Sequence, residues 1–224
     1  MPAITEQALN DIMMGKDGTY SPTERDVLRH QIWDTRFFAA TPTNAQFFVQ
    51  PIGAPWRAGT AKTTNETNLA QTGQLPAGQT MLVKKVTVRC ISFDALDEAD
   101  PEDVAQAFYN VLHSSVFELK VASREFEQQW HGSQFLPAVA ISGSSTVNHH
   151  IRVGDLIGTG SLNLEPTPVF LGSQVSFNVT HTLGNPDVTN IQGSGLPLTT
   201  ACAKLLDVFA VMQIILEGTL TRAK

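Results

Sequence analysis

The chain has 224 residues and a net charge of −6, with 15 basic and 21 acidic side chains against 60 Ser, Thr, Asn and Gln. A hydrophobic fraction of 42%, including 12 phenylalanines, is enough for one sizeable core. The acidic balance argues against a dedicated nucleic-acid binder, which carries a basic face, and an uncharged polar surface is cheaper to desolvate against a neighbour than an ionic one.

The first 40 residues read as an N-terminal helical arm. Residues 3–14 are weakly helical, and Gly15 to Tyr20 is a breaker. Neither holds a basic stretch followed by an apolar run, so no secretory signal is expected. Ser21-Pro22-Thr23-Glu24 then has the form of a helix start, with Ser21 as N-cap, Pro22 in the first turn and Glu24 placed for a capping box. The helix expected to follow carries Val27, Leu28, Ile32 and Trp33 on a narrow stripe.

From Asn44 the period changes to two. Phe47 and Val49 alternate with Gln46, Phe48 and Gln50. Leu82, Val86, Val88 and Cys90 are expected on one face, and Lys85, Thr87 and Arg89 on the other. Phe117, Leu119 and Val121 alternate with Glu118 and Lys120, and Val175, Phe177 and Val179 with Gln174, Ser176 and Asn178. Residues 209–220 are apolar on both faces near their middle. Such alternation predicts half-buried antiparallel strands. Weaker strand signals lie at 125–130, 135–141, 148–153, 156–164 and 168–171. Two long loops, 53–75 and 183–200, are rich in Thr, Asn, Gln and Gly.

One helix interrupts the strands. Asp100 is its N-cap, Pro101 opens it, and Val104, Ala107, Phe108, Val111 and Leu112 fall on one face. The pattern as a whole predicts a mainly β chain, an antiparallel β sandwich of jelly-roll type with a single jelly roll over residues 41–224, the arm over 1–40 and one inserted helix.

Candidate chemistry is sparse. Gly193-Ser194-Gly195 lacks the spacing of a nucleophile elbow, and Gly154, Gly158 and Gly160 precede no lysine that could reach a phosphate. His149 and His150 are adjacent, so on a strand they point to opposite faces and do not converge on one metal. Asp94, Asp97, Glu98, Asp100, Glu102 and Asp103 lack the spacing of a calcium loop, and the last three suit a helix N-terminus. Lys84, Lys85 and Arg89 form a small basic patch that protects a strand edge or touches phosphate. Cys90 and Cys202 fit no metal or redox spacing and read as two buried free thiols, with a disulfide between them as the other reading. Trp33, Trp56 and Trp130 read as burial or subunit contact, with sugar stacking as the other use. The expectation is no enzyme, no cofactor and no metal.

The strand order resembles the jelly-roll major capsid proteins of tailless icosahedral viruses of bacteria and archaea, many of which enclose a membrane. Asn44-Ala45-Gln46-Phe47-Phe48-Val49-Gln50-Pro51 after a helical arm looks like a first sheet strand. The loop Leu75-Pro76-Ala77-Gly78-Gln79 feeds a long strand. Leu171-Gly172-Ser173-Gln174 before an alternating strand resembles a late hairpin, and Ile214-Ile215-Leu216-Glu217-Gly218-Thr219-Leu220 a closing strand. The resemblance is one of pattern over most of residues 44–222 and rests on no single diagnostic motif. It implies a virion shell subunit, assembled in the host cytoplasm. Its partners would be copies of itself in trimers or capsomers, minor capsid proteins and an internal membrane, with no direct genome contact. Trp33, Phe37, Phe38 and Trp56 are the candidate subunit contacts. The alternative is a carbohydrate- or receptor-binding β-sandwich module.

Overall fold

The computed structural model describes residues 25–38, 44–57, 59–92, 101–122, 124–135, 160–184, 198–207 and 210–223. In chain order the elements are β1 (Arg25–Phe37), β2 (Ala45–Phe47), β3 (Pro55–Arg57), β4 (Thr60–Ala61), β5 (Gln79–Ser92), α1 (Pro101–His113), β6 (Ser115–Val121) and β7 (Arg124–His131). A 3-10 turn (Gly132–Phe135), β8 (Gly160–Asn163), β9 (Val169–Leu171), β10 (Phe177–Leu183), α2 (Leu198–Asp207) and β11 (Ala210–Ala223) follow.

The fold is mainly β, and its sheets are antiparallel. One sheet runs β1-β11-β5-β8, with β9 also on β5. A second runs β2-β10-β6-β7, and β3 and β4 form a small third. Both large sheets bury one face in a single cluster. Val86, Val88, Met212, Ile214 and Leu216 contribute from the first sheet, and Phe47, Phe117, Leu119, Phe177 and Val179 from the second. Helix α1 adds Ala107, Phe108, Val111 and Leu112 to this cluster, and α2 adds Leu198, Ala201, Cys202 and Leu205.

Period-two reading holds along β6, where burial alternates at every residue. It holds along the middle of β11, whose two faces are both buried from Ala210 to Glu217. The α1 face is also as expected: Ala107, Phe108, Val111 and Leu112 are all buried. Helix α2 has no counterpart in the sequence reading, and its start at Leu198 shortens the loop expected over 183–200.

The helix expected after Ser21 is corrected. Arg25–Phe37 is a strand, paired residue for residue with β11 from Arg25↔Ala223 to Phe37↔Val211. This stretch is therefore part of the first sheet and not of a helical arm, while residues 1–24 lie outside the described residues. The local cap signal is outweighed by the ladder that thirteen residues make with the most buried strand of the chain.

Three side chains depart from strict alternation. Phe48 is fully buried, although the alternation turned it outward. Its φ of +66° ends β2 and swings the ring inward against Phe177, 5.6 Å away. A non-glycine residue there costs about 1–2 kcal/mol, which burying a phenylalanine at about 1.5–3 kcal/mol offsets. Leu82 lies on the opposite face from Val86, against Phe170. The cause is an irregularity in register. Glu217 pairs with Lys85 but Gly218 pairs with Val83, so Lys84 is the extra residue of a bulge. Phe135, expected to open a strand, sits buried in the 3-10 turn. The connection from β9 to β10 also crosses from one sheet to the other and is not a hairpin.

Gly218 is the bulge's requirement. A Cβ there would stand 1.8 Å from the Leu82 carbonyl oxygen, so only glycine lets β5 approach.

Candidate functional site

The free edge of β1 and the segment 44–69 that folds against it bring together three of the four residues proposed as contacts. Trp33 and Phe37 face away from the core, across from Ile215 and Val211. Trp56, on β3, places its ring 4.5 Å from that of Phe37. All three are half-buried. Phe38 is the exception. It is buried and meets Phe108 of α1 edge-on at 6.2 Å, so it serves the chain's own core instead of a contact surface.

What holds this edge is polar. On the core-facing side of β1, Asp34 is fully buried. Its carboxylate accepts from the Lys62 ammonium through Oδ1 and from the Phe48 amide through Oδ2 at 2.6 Å. Lys62, equally buried, also donates to the Thr35 carbonyl at 2.8 Å and lies 5.0 Å from the Trp56 ring centroid. Burial raises the Asp34 carboxyl above its usual range, against the opposing charge of Lys62. Burial lowers the Lys62 ammonium, against Asp34. Desolvation thus works against both charges, and their mutual attraction with one further hydrogen bond on each, from the Phe48 amide and to the Thr35 carbonyl, retains the pair. Arg36 completes the set, donating to the Gln46 carbonyl and the Gln50 side chain at 2.8 Å each.

Beyond Lys62 the chain runs along β1. Thr35 Oγ1 donates to the Glu66 carbonyl at 2.8 Å, and Thr67 Oγ1 to the Trp33 carbonyl at 3.1 Å. Asn68 bonds β1 three times. Its amide N–H donates to Trp33 O, its Nδ2 to Gln31 O, and its Oδ1 accepts from Trp33 N. Part of the long loop expected over 53–75 is thus spent within the subunit, closing the sheet edge from Gln31 to Thr35.

A second polar group, this one charged, sits on the outward face of the first sheet, the face that also carries Trp33 and Phe37. Glu217, buried at mid-strand, is 3.5 Å from both Arg29 and Lys85. Burial pulls its carboxyl up, but hydrogen bonds from Gln31, Lys85 and Arg29 and the charge of Lys85 outweigh that and leave it below the ordinary value. Lys84 reaches Glu165 at 3.8 Å. Two of the three cations in the expected basic patch therefore face carboxylates.

The remaining candidates are scattered. Trp130 is buried in the core. Cys90 and Cys202 are free and buried, with their thiols pushed up to about 12 and about 11 by burial. His149, His150, Asp94, Asp97, Glu98 and Asp100 lie outside the described residues, and the described part of α1 leaves out the side chains of Glu102 and Asp103.

Sequence reading missed one pair. Ser115 Oγ and His181 Nε2 are 2.7 Å apart and buried, with the imidazole stacked on Phe117 at 4.8 Å. Ser115 donates its proton to the Val111 carbonyl. A hydroxyl donates once, so His181 Nε2–H must be the donor to Ser115 Oγ. In this arrangement the pair ties α1 to β6 and β10. Among the described residues no group of three or more His, Cys, Asp or Glu side chains could hold a metal ion, and no helix is long and apolar enough to cross a membrane.

No known family model matches the chain, and no curated protein matches it either.

Proposed function

We propose that the chain is a jelly-roll shell subunit, a major capsid protein that assembles with copies of itself into the capsomers of an icosahedral virion. The observation that carries this reading is the strand order. Take β8 with β9 as one position, and set aside the small β3-β4 ribbon. The eight principal strands are then β1, β2, β5, β6, β7, β8, β10 and β11. First pairs with last (β1 with β11), second with seventh (β2 with β10), third with sixth (β5 with β8), and fourth with fifth (β6 with β7). That nested order is what a long hairpin gives when it is rolled into two facing sheets.

Half-buried Trp33, Phe37 and Trp56, brought together at the edge of β1, support contact with neighbouring copies. Minor capsid proteins and an internal membrane are the further partners of such a shell, and a net charge of −6 supports placing the genome elsewhere. The carbohydrate-binding alternative depends on an available indole. Trp56 is the candidate, and its ring is already engaged by Phe37 and Lys62.

Electron microscopy of the purified full-length chain tests the reading. Regular shells or discrete capsomers are expected. A monodisperse monomer across assembly conditions, together with glycan binding that Trp56→Ala abolishes, would replace it with the alternative.

A further inference from the structure

The edge of β1 is closed over only part of its length. Backbone groups of Gln31, Trp33 and Thr35 point away from β11, because Asn68, Thr67 and Lys62 bond them there. In a regular ladder this direction alternates, so the odd-numbered residues 25, 27 and 29 also turn their N–H and C=O groups to that edge. Among the described residues no strand or bridge pairs with them there. Two of the three large hydrophobic side chains exposed among the described residues sit on this open stretch, Val27 at 39% and Leu28 at 43%. An unpaired strand edge that carries exposed apolar side chains is a template for another strand.

We infer that residues 26–30 pair antiparallel with the same residues of a second copy, about a two-fold axis at Leu28. Parity and charge select this register. Opposed residues in an antiparallel pair must both point toward the partner or both away, so odd faces odd and even faces even. A two-fold pairing within this stretch can then centre on residue 27, 28 or 29. Centring on Val27 sets Arg25 against Arg29, two like charges, while Asp26 is already held by Arg222 within the subunit. Centring on Arg29 sets two guanidinium groups against each other. Centring on Leu28 sets Leu28 against Leu28, Val27 against the stem of Arg29, and Asp26 against His30. It also ends the pairing at residue 30, one short of Gln31, where Asn68 closes the edge. Val27 and Arg29 of each copy then exchange both backbone hydrogen bonds. Leu28 lies across from Leu220 within the subunit, so the apolar row continues through the axis.

The pairing deepens the shell reading by naming one of its contacts, yet it would hold equally for an isolated dimer. Cysteine cross-linking of the full-length chain tests it. Residues opposed in a non-hydrogen-bonded pair have Cα atoms about 4.5 Å apart, within disulfide range. Under mild oxidant Leu28→Cys should therefore cross-link to itself. Val27→Cys and Arg29→Cys should each cross-link several-fold less alone and efficiently when mixed. The native thiols are buried and give a low background. Equal cross-linking at all three positions, or none at Leu28→Cys, overturns the register.

Val27→Pro supplies the second readout. It removes only an outward-facing donor, which an edge strand tolerates. It should keep the native circular dichroism and lose dimer in sedimentation velocity; a folded variant that dimerises like the parent refutes the contact. Particles that still form without this dimer would leave the shell reading standing and remove only the contact. Dimers without particles would do the reverse.

Discussion

The Asp34 carboxylate and the Lys62 ammonium, 28 residues apart in sequence, form an ion pair that solvent does not reach. It fastens the segment after β2 to the core side of β1. Breaking such a pair by removing one partner is far more costly than replacing both, because the survivor stays buried and unpaired.

Lys62→Met should therefore destabilise the chain by about 3–5 kcal/mol, and Asp34→Asn with Lys62→Met together by clearly less. Urea unfolding followed by tryptophan fluorescence reads both. If the single variant cost under about 1 kcal/mol, the pair would be contributing no more than a surface one.

His181 predicts an acid-sensitive stability. Burial pushes its imidazole down to about 4 from 6.5, so the folded state holds it neutral while the unfolded chain protonates it near 6.5. Between these values the unfolded state binds more protons, so stability rises with pH. The contribution is complete above about pH 6.5 and is lost as pH falls toward 4, amounting to about 3 kcal/mol. His181→Gln should flatten the unfolding free energy across that window. An unchanged slope would place the titration on another group.

Gly218→Ala should cost about 2 kcal/mol or more, since its methyl would drive into the Leu82 carbonyl and undo the bulge. Thermal unfolding checks this. A variant within about 0.5 kcal/mol of the parent would mean that β5 and β11 can separate locally at no penalty.

Removing residues 1–40 would take away β1 with the supposed arm. It strips Ile32 from the core and leaves β11 as a bare edge. Such a chain should aggregate on expression. A soluble, cooperatively unfolding product would show that β1 is dispensable to the sheet.

Legibility followed how local each cause was. β6 could be read because each of its core residues alternates with a solvated one, and α1 because its cap and apolar face lie within thirteen residues. β1 was misread because the core-facing positions 34 and 36 hold Asp and Arg, whose burial depends on Lys62, Gln46 and Gln50. With those two positions polar, strand alternation vanished and the Ser-Pro-Thr-Glu helix signal prevailed. The bulge at Lys84 hid the side on which Leu82 lies, since register belongs to two strands and not to one. Of the candidate site, aromatic character marked Trp33, Phe37 and Trp56. Nothing in a Thr-rich loop distinguishes Lys62, and the same aromatic signal placed Phe38 on the surface when it belongs to the core.

Asn68 carries a consequence for how the sheet ends. One side chain performs at β1 what a further strand's backbone would do, offering an acceptor and a donor at strand spacing. It works as a stopper, setting where lateral growth of the sheet must halt. Shortening or removing that amide would lengthen the sticky border toward Trp33. A change there would extend the edge open to a further strand without touching the core.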